Sequence, residues 1–496
     1  MSEDASSFPH PLYDKYVLQP FFEDAKTYFY RPMLAANRAH VVMLRHCGII
    51  SRQNAVALID ALEQVESLGV DALTRGAGVE DLFFAIENQL IETAGAAYGG
   101  NLQLARSRND LGYALTRLAL RPLLLETMDD LLCLRQCLLD FAGEHLRTLM
   151  PGYTHTQPAQ PTTMAHYIAG ALAGLGRDSA RLRFAYETNN QSPLGAAAMT
   201  GATFPIDRHL NARLLGFDDI QLSTYDSIGA SDNLTDVAGA LSTLGVNLSR
   251  VTRDMLFWAT QESGAIRIHD SFIQISSIMP QKRNPVVLEH LRARVSRMMA
   301  LAHGIVLQCH NIPFGDTQDI EDEIFPLLFG SLETAKEILQ LYAAVIDTLE
   351  VNVDRLRQRA DSGFTTVTEL ADTLVRECGL PFRQAHSVVA ALVTFAIEEK
   401  LAPEDLSLEM LKRVACERLG QNLELSEEAF KRAMDPQAFV DGRALPGGAA
   451  PSATADVLKQ QRRRLDEDRN WLNMTRAALQ AADLALQDEV RQLQAL

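Results

Sequence analysis

The chain reads as an all-α protein, an elongated long-helix bundle flanked by smaller N- and C-terminal helical domains. Aromatic residues make up only 7% of its 496 residues. Leu and Ala recur in long runs at three- and four-residue spacing, and Gly and Pro cluster at a few points instead of arriving every ten residues. Together these favour helices over a strand-rich fold.

The elements follow in order. Residues 20–70 read as two helices, FFEDAKTYFYRPMLAANRAHVVMLRHCG and SRQNAVALIDALEQVESLG, each closed by glycine and the second opened by Ser51 as N-cap. From Leu111 to Met150 the apolar positions describe one helix of about forty residues with a kink at Pro122. At about 1.5 Å per residue it would be on the order of 60 Å long, which a compact domain does not need. Long helices follow in MAHYIAGALAGLGRDSARLRFAYETN, SDNLTDVAGALSTLGVNLSRVTRDMLFWATQ and PVVLEHLRARVSRMMALAHGIVLQCH, with another near 324–349. After Asn352 the helices shorten and Gly and Pro return. These readings give three domains: 1–107 N-terminal, 108–360 central bundle and 361–496 C-terminal.

The formal charge of −17, with 47% hydrophobic residues, argues against nucleic acid or an anionic membrane as partner. An anionic ligand then requires a local basic site. Neither a basic leader nor eighteen consecutive apolar residues occurs, so the expectation is a cytoplasmic protein. Six cysteines without a CxxC pair read as buried reduced thiols. The histidines show no HExxH or other paired ligand spacing, so no metal site is expected. GxSxG, P-loop and dinucleotide fingerprints are also missing, and no cofactor is expected.

Four polar stretches interrupt the helices: RSRND at 106–110, GYTHTQPAQP at 152–161, SPLGAAAMTGATFPIDR at 192–208 and SSIMPQKRNP at 276–285. In the last, Asn284 before Pro285 reads as an N-cap with proline at N1, so the following helix would point its positive end at a loop already carrying Lys282 and Arg283. An anionic substrate group would be favoured there. If 111–149 is one helix, RSRND and THTQP lie at its opposite ends and meet only between subunits. A symmetric homotetramer with composite active sites satisfies this.

SSIMPQKRNP resembles the serine-loop motif SSxMPxKxN of the fumarase/aspartase superfamily. With RSRND, MPGYTHTQPAQP, SPLGAAAMTGATFPIDR and SGFTTVTELADTLVRECGLPFRQAH, the chain is most similar to argininosuccinate lyases from about residue 20 to beyond 450. The resemblance implies reversible β-elimination of an amine from a succinyl substrate, giving fumarate. It implies Ser276 as general base, Lys282 and Asn284 as stabilisers of the aci-carboxylate, and Ser107, Arg108, Asn109 and Thr154 as grips on the substrate carboxylates. It further implies His155, paired with Glu289, as the proton carrier to nitrogen, with Gln157 lining the pocket.

Departures from that family's pattern stand beside these matches. Ile275 replaces a glycine before the two serines, Gln103, Leu104 and Ala105 replace His-Thr-Gly, Phe83 replaces a histidine and Asn233 an arginine. Asp316, Gln318 and Glu321 stand where an argininosuccinate lyase resembles Tyr, Lys and Gln. The expectation is a carbon–nitrogen lyase on an N-substituted aspartate, a small-molecule aminocarboxylate. Two readings stay open beside it: a true argininosuccinate lyase, and a non-catalytic, crystallin-like structural relative.

Overall fold

The computed structural model describes residues 8–76 and 79–495. An N-terminal helical run, Pro11–Tyr28, is followed by α1 (Tyr30–His46), α2 (Arg52–Leu68) and α3 (Leu82–Ala94). Ser51 caps α2, its hydroxyl accepting the Asn54 N–H at 3.1 Å. The expected single helix through residues 20–46 is interrupted at Phe29, whose ring packs edge-on against Phe325.

Five helices form the central bundle: α4 (Arg108–Glu144), α5 (Met164–Asn189), α6 (Asp232–Trp258), α7 (Val286–Cys309) and α8 (Phe325–Asp347). α4 has 37 residues and carries Pro122 without a break. Most of its sides are buried, because α5, α8 and a later helix all pack on it. It ends before the expected Met150, which lies instead in a hairpin of β1 (Leu149–Thr154) and β2 (Gln157–Thr163).

Helices α9 (Val367–Cys378), α10 (Phe382–Glu398), α11 (Leu408–Leu419) and α12 (Glu427–Met434) enclose a separate apolar cluster spanning residues 370–433. The final helix, α13 (Pro451–Ala495, 45 residues), does not belong to that cluster. Leu458, Leu465, Leu472 and Leu486 enter the main core, where α13 packs on α4 and α5. The last stretch of the expected 361–496 division thus packs with the central bundle. The 1–107 division shares its core with the bundle as well, through residues such as Met33, Leu58 and Ile86.

All six cysteines are free, but Cys133 and Cys416 are exposed and the other four half-buried, which corrects the expectation of buried thiols. No helix among the described residues is long and apolar enough to cross a membrane.

Candidate active site

The chain path divides the polar stretches between two ends of the bundle. Arg117, in the third turn of α4, donates to Thr188 O and Asn189 O at the end of α5 and to Asn233 at the start of α6, at 3.1 to 3.4 Å. The RSRND end thus gathers the last turn of α5 and the first of α6. At the other end of α4 follow the hairpin, with Tyr153 against Phe257, and the 266–284 segment, anchored where Ile266 pairs with Val351. α7 leads back from there, and residues 316–321 return to the RSRND end.

The RSRND end is densely bonded. Ser107 caps α4 in a capping box with Asp110. The buried Asp110 carboxylate accepts N–H groups of Ser107, Gly195 and Ala197 at 2.9 to 3.0 Å, riveting the 192–208 loop to the helix start. Behind it, Arg106 donates to Asn37 Oδ1 at 2.8 Å, and burial brings its guanidinium down to about 10. Asn109 holds its carbonyl on the Ser107 hydroxyl at 2.8 Å and gives one amide proton to Asp316 at 2.7 Å, leaving its second amide N–H for a ligand. Tyr113, one turn along α4, donates to the other Asp316 oxygen at 3.1 Å.

Arg108 is already committed to carboxylates, to Asp81 at 2.8 Å and Glu80 at 3.4 Å. Burial disfavours its charge, yet Asp81, Glu80 and Glu321 outweigh that and raise its pKa. Glu321 lies against Gly112 and accepts from Gln318 at 3.1 Å. Burial, then Asp316 and Asp322, push Glu321 up to about 8. Burial, Asp81 and Glu323 push Asp322 up to about 6. Around Arg108 stand Asp81, Glu80, Glu321 and Asp322, and a cation entering there would favour the ionised form of the two raised carboxyls and be held by them. Tyr113 and Asp322 were not anticipated from sequence. The signal for Tyr113 was its i, i+4 spacing from Asn109 on one helix face.

The opposite end is open. Thr154, His155 and Gln157 form an exposed hairpin tip, not the plain loop expected. His155 and Thr156 are its two central residues at φ 50° and 65°, the left-handed pair of a type I′ turn, which a β-branched threonine adopts only under strain. Gln274 and Ile275 pair with Asn284 and Arg283, closing the 276–282 loop at its base. Asn284 therefore belongs to a short strand. The expected N-cap is corrected by one residue: α7 starts at Val286 with Pro285 in the cap position and no side-chain cap. The helix still directs its first N–H groups toward this end, with Glu289 exposed in its first turn.

Within the loop, Ser276 Oγ accepts N–H groups from Met279 at 3.1 Å and Ile278 at 3.4 Å, donors that stabilise negative charge on that oxygen. Lys282 is exposed, and Arg283 is held by Asp270 and Ile268 O.

One chain thus joins Ser107, Arg108 and Asn109 to Asp316, Gln318 and Glu321. It places Thr154, His155, Gln157, Ser276, Lys282, Asn284 and Glu289 at the far end of a 37-residue helix, on the order of 55 Å away. Among the described residues no hydrogen bond pairs His155 with Glu289, and no three His, Cys, Asp or Glu side chains converge on a metal-sized site.

A lyase family model matches residues 35–300, and an argininosuccinate lyase C-terminal model matches 364–441. Argininosuccinate lyase of Methanothermobacter thermautotrophicus is 37% identical over 95% of this chain and 97% of its own. Argininosuccinate lyase 2 of Agrobacterium fabrum is 36% identical over 97% and 96%. The chain belongs to the fumarase/aspartase superfamily, on its argininosuccinate lyase-like branch. This lyase also superposes on EDDS lyase in complex with formate, with a TM-score of 0.87 and 30% identity over 99% of this chain and 97% of that one. An EDDS lyase variant with bound fumarate gives the same values. A class II fumarase from Schistosoma mansoni, 17% identical with a TM-score of 0.64, shares the fold. The all-α bundle and the carbon–nitrogen lyase class both follow from these likenesses.

Proposed function

We propose that this lyase reversibly eliminates a cationic amine from an N-substituted aspartate to release fumarate, acting in the cytoplasm as a homotetramer. Each active site combines the RSRND end of one copy with open ends of others. The observation that carries the reading is the acidic surround of Asn109 and Arg108, with Asp316 and Glu321 where a neutral or basic contact would suit a carboxylate-bearing leaving group.

The proton to be removed lies beside a carboxylate and is weakly acidic, so catalysis turns on stabilising the aci-carboxylate dianion as it forms. Ser276 takes that proton, the freed electron pair becomes the fumarate double bond through the dianion, and the C–N bond breaks with nitrogen receiving a proton. Serine is a base only when its alkoxide is stabilised, and the Ile278 and Met279 N–H groups with Lys282 nearby supply that setting. Lys282 and Asn284 hold the dianion. Ser107, Arg108, Asn109 and Thr154 hold the substrate carboxylates, His155 with Glu289 carries the proton to nitrogen, and Gln157 lines the pocket.

The relatives named argininosuccinate lyase support a second reading, cleavage of argininosuccinate itself. Steady-state assays of fumarate release separate the two. On the proposal, argininosuccinate, whose arginine half carries a carboxylate, is a poor substrate, and Asp316→Tyr with Gln318→Lys shifts preference toward it. Efficient cleavage by the unmodified chain would establish the second reading instead.

A further inference from the structure

The RSRND end opens into a cavity of about 250 Å³. Its mouth is polar and belongs to the candidate site: Arg108, Gly112, Gln318 and Glu321 line both. Its floor is apolar and rigid. Phe29 and Phe325 meet edge to face at 4.9 Å, with Leu111 and Leu115 of α4 beside them, all four buried. One side is closed by the N-terminal helical run, which contributes Val17 and Phe21.

Nothing in the amine elimination described above uses that floor. A fully charged diamine would gain from the carboxylates but bear the cost of desolvating its second ammonium on the apolar floor, while an aliphatic or aromatic ring there would exchange water for apolar contact. The cavity falls below the several hundred Å³ typical of drug-sized ligands, which suits one ring and excludes a long chain.

We propose that this cavity seats the apolar body of the leaving amine, so that the substrates are N-substituted aspartates whose nitrogen bears a single ring on a short stem. The ammonium of the departing amine lies among Glu321, Asp316 and Asp322, and the ring lies on Phe29 and Phe325. This inference rests on the amine-lyase reading and narrows it.

The test runs the reaction in reverse with the full chain, following fumarate loss with methylamine, 1,2-diaminoethane, benzylamine, cyclohexylmethylamine and naphthylmethylamine. Benzylamine and cyclohexylmethylamine should exceed methylamine in kcat/KM by at least about tenfold. Val17→Trp, which fills the cavity from its half-buried covering helix, should remove most of that preference and leave methylamine within about twofold. Phe21→Ala, which enlarges the cavity, should admit naphthylmethylamine. Methylamine or the diamine reacting fastest, or Val17→Trp slowing every amine alike, would overturn the cavity assignment while the amine-lyase reading stands. Failure of all five amines to add to fumarate would overturn both.

Discussion

The two ends of the bundle differ in how completely their side chains are used. At the RSRND end, Ser107, Asn109, Asp316 and Tyr113 form one bonded chain, Gln318 is bonded to Glu321, and Arg108 is paired with Asp81 and Glu80. At the other end Thr154, His155, Gln157, Lys282 and Glu289 reach into solvent from a strained turn, an open loop and a helix start. A site that selects by fixed charge is served by the first arrangement, because groups already held in place need no reorganisation. In the proposed composite site, the second arrangement would leave its groups free to meet residues of another copy.

The comparison can be broken most sharply at Ser276. Ser276→Ala should lower fumarate formation at least about a hundredfold while circular dichroism and oligomer size stay unchanged, because the hydroxyl bonds only within its own loop. Turnover near normal would remove serine as the base. The next largest effect concerns the separation of the ends. Ser276→Ala and Asn109→Ala proteins, each inactive alone, should regain activity when unfolded and refolded together, since some sites in the hybrids receive both intact ends. Verified mixing without recovery would count against composite sites.

Glu321 sharpens the comparison through pH. Burial and neighbouring acids raise its carboxyl from 4.5 to about 8, so across that window the folded chain holds a proton that the unfolded chain has released. This group therefore makes stability fall as pH rises from the ordinary carboxyl range to about 8, and adds no further slope above it. Glu321→Gln should flatten the fall of melting temperature over that range. An unchanged profile would mean the carboxyl is already ionised at neutral pH. The smallest effect is expected from Gly112→Ala. The new Cβ would meet the Glu321 Oε1 atom at 3.2 Å, a contact the flexible carboxylate relieves by a small shift, while the helix gains roughly 0.5 to 1 kcal/mol of propensity. Melting temperature should hold or rise slightly and amine KM should change severalfold, whereas a marked loss of stability would show that Glu321 is clamped.

Much of the bundle was legible because its helices carry regular apolar spacing and clear caps, as at Ser51 and Ser107. The hairpin was not, since Pro151, Pro158 and Pro161 argue against strands, and only an edge pair tolerates them. Residues in the serine loop, at RSRND and at the hairpin tip were readable as motifs. Their division between two ends followed from the length of α4 alone. The web around Asp316 and Glu321 depends on α7 carrying residues 316–321 back across the molecule, a path that local pattern does not encode. The placement of α13 did have a signal: leucines at 458, 465, 472, 479, 486 and 493, one every seven residues, mark a seam against neighbouring helices.

That seam has a consequence for the order in which the molecule is made. α4 and α5 leave the ribosome some three hundred residues before α13, yet the buried leucines of α13 complete the apolar surface between them. During synthesis the nascent bundle carries an uncovered hydrophobic groove that its own chain has not yet supplied. A ribosome paused before residue 451, or a chain cut there, should therefore display a chaperone-binding and aggregation-prone face that the finished protein conceals.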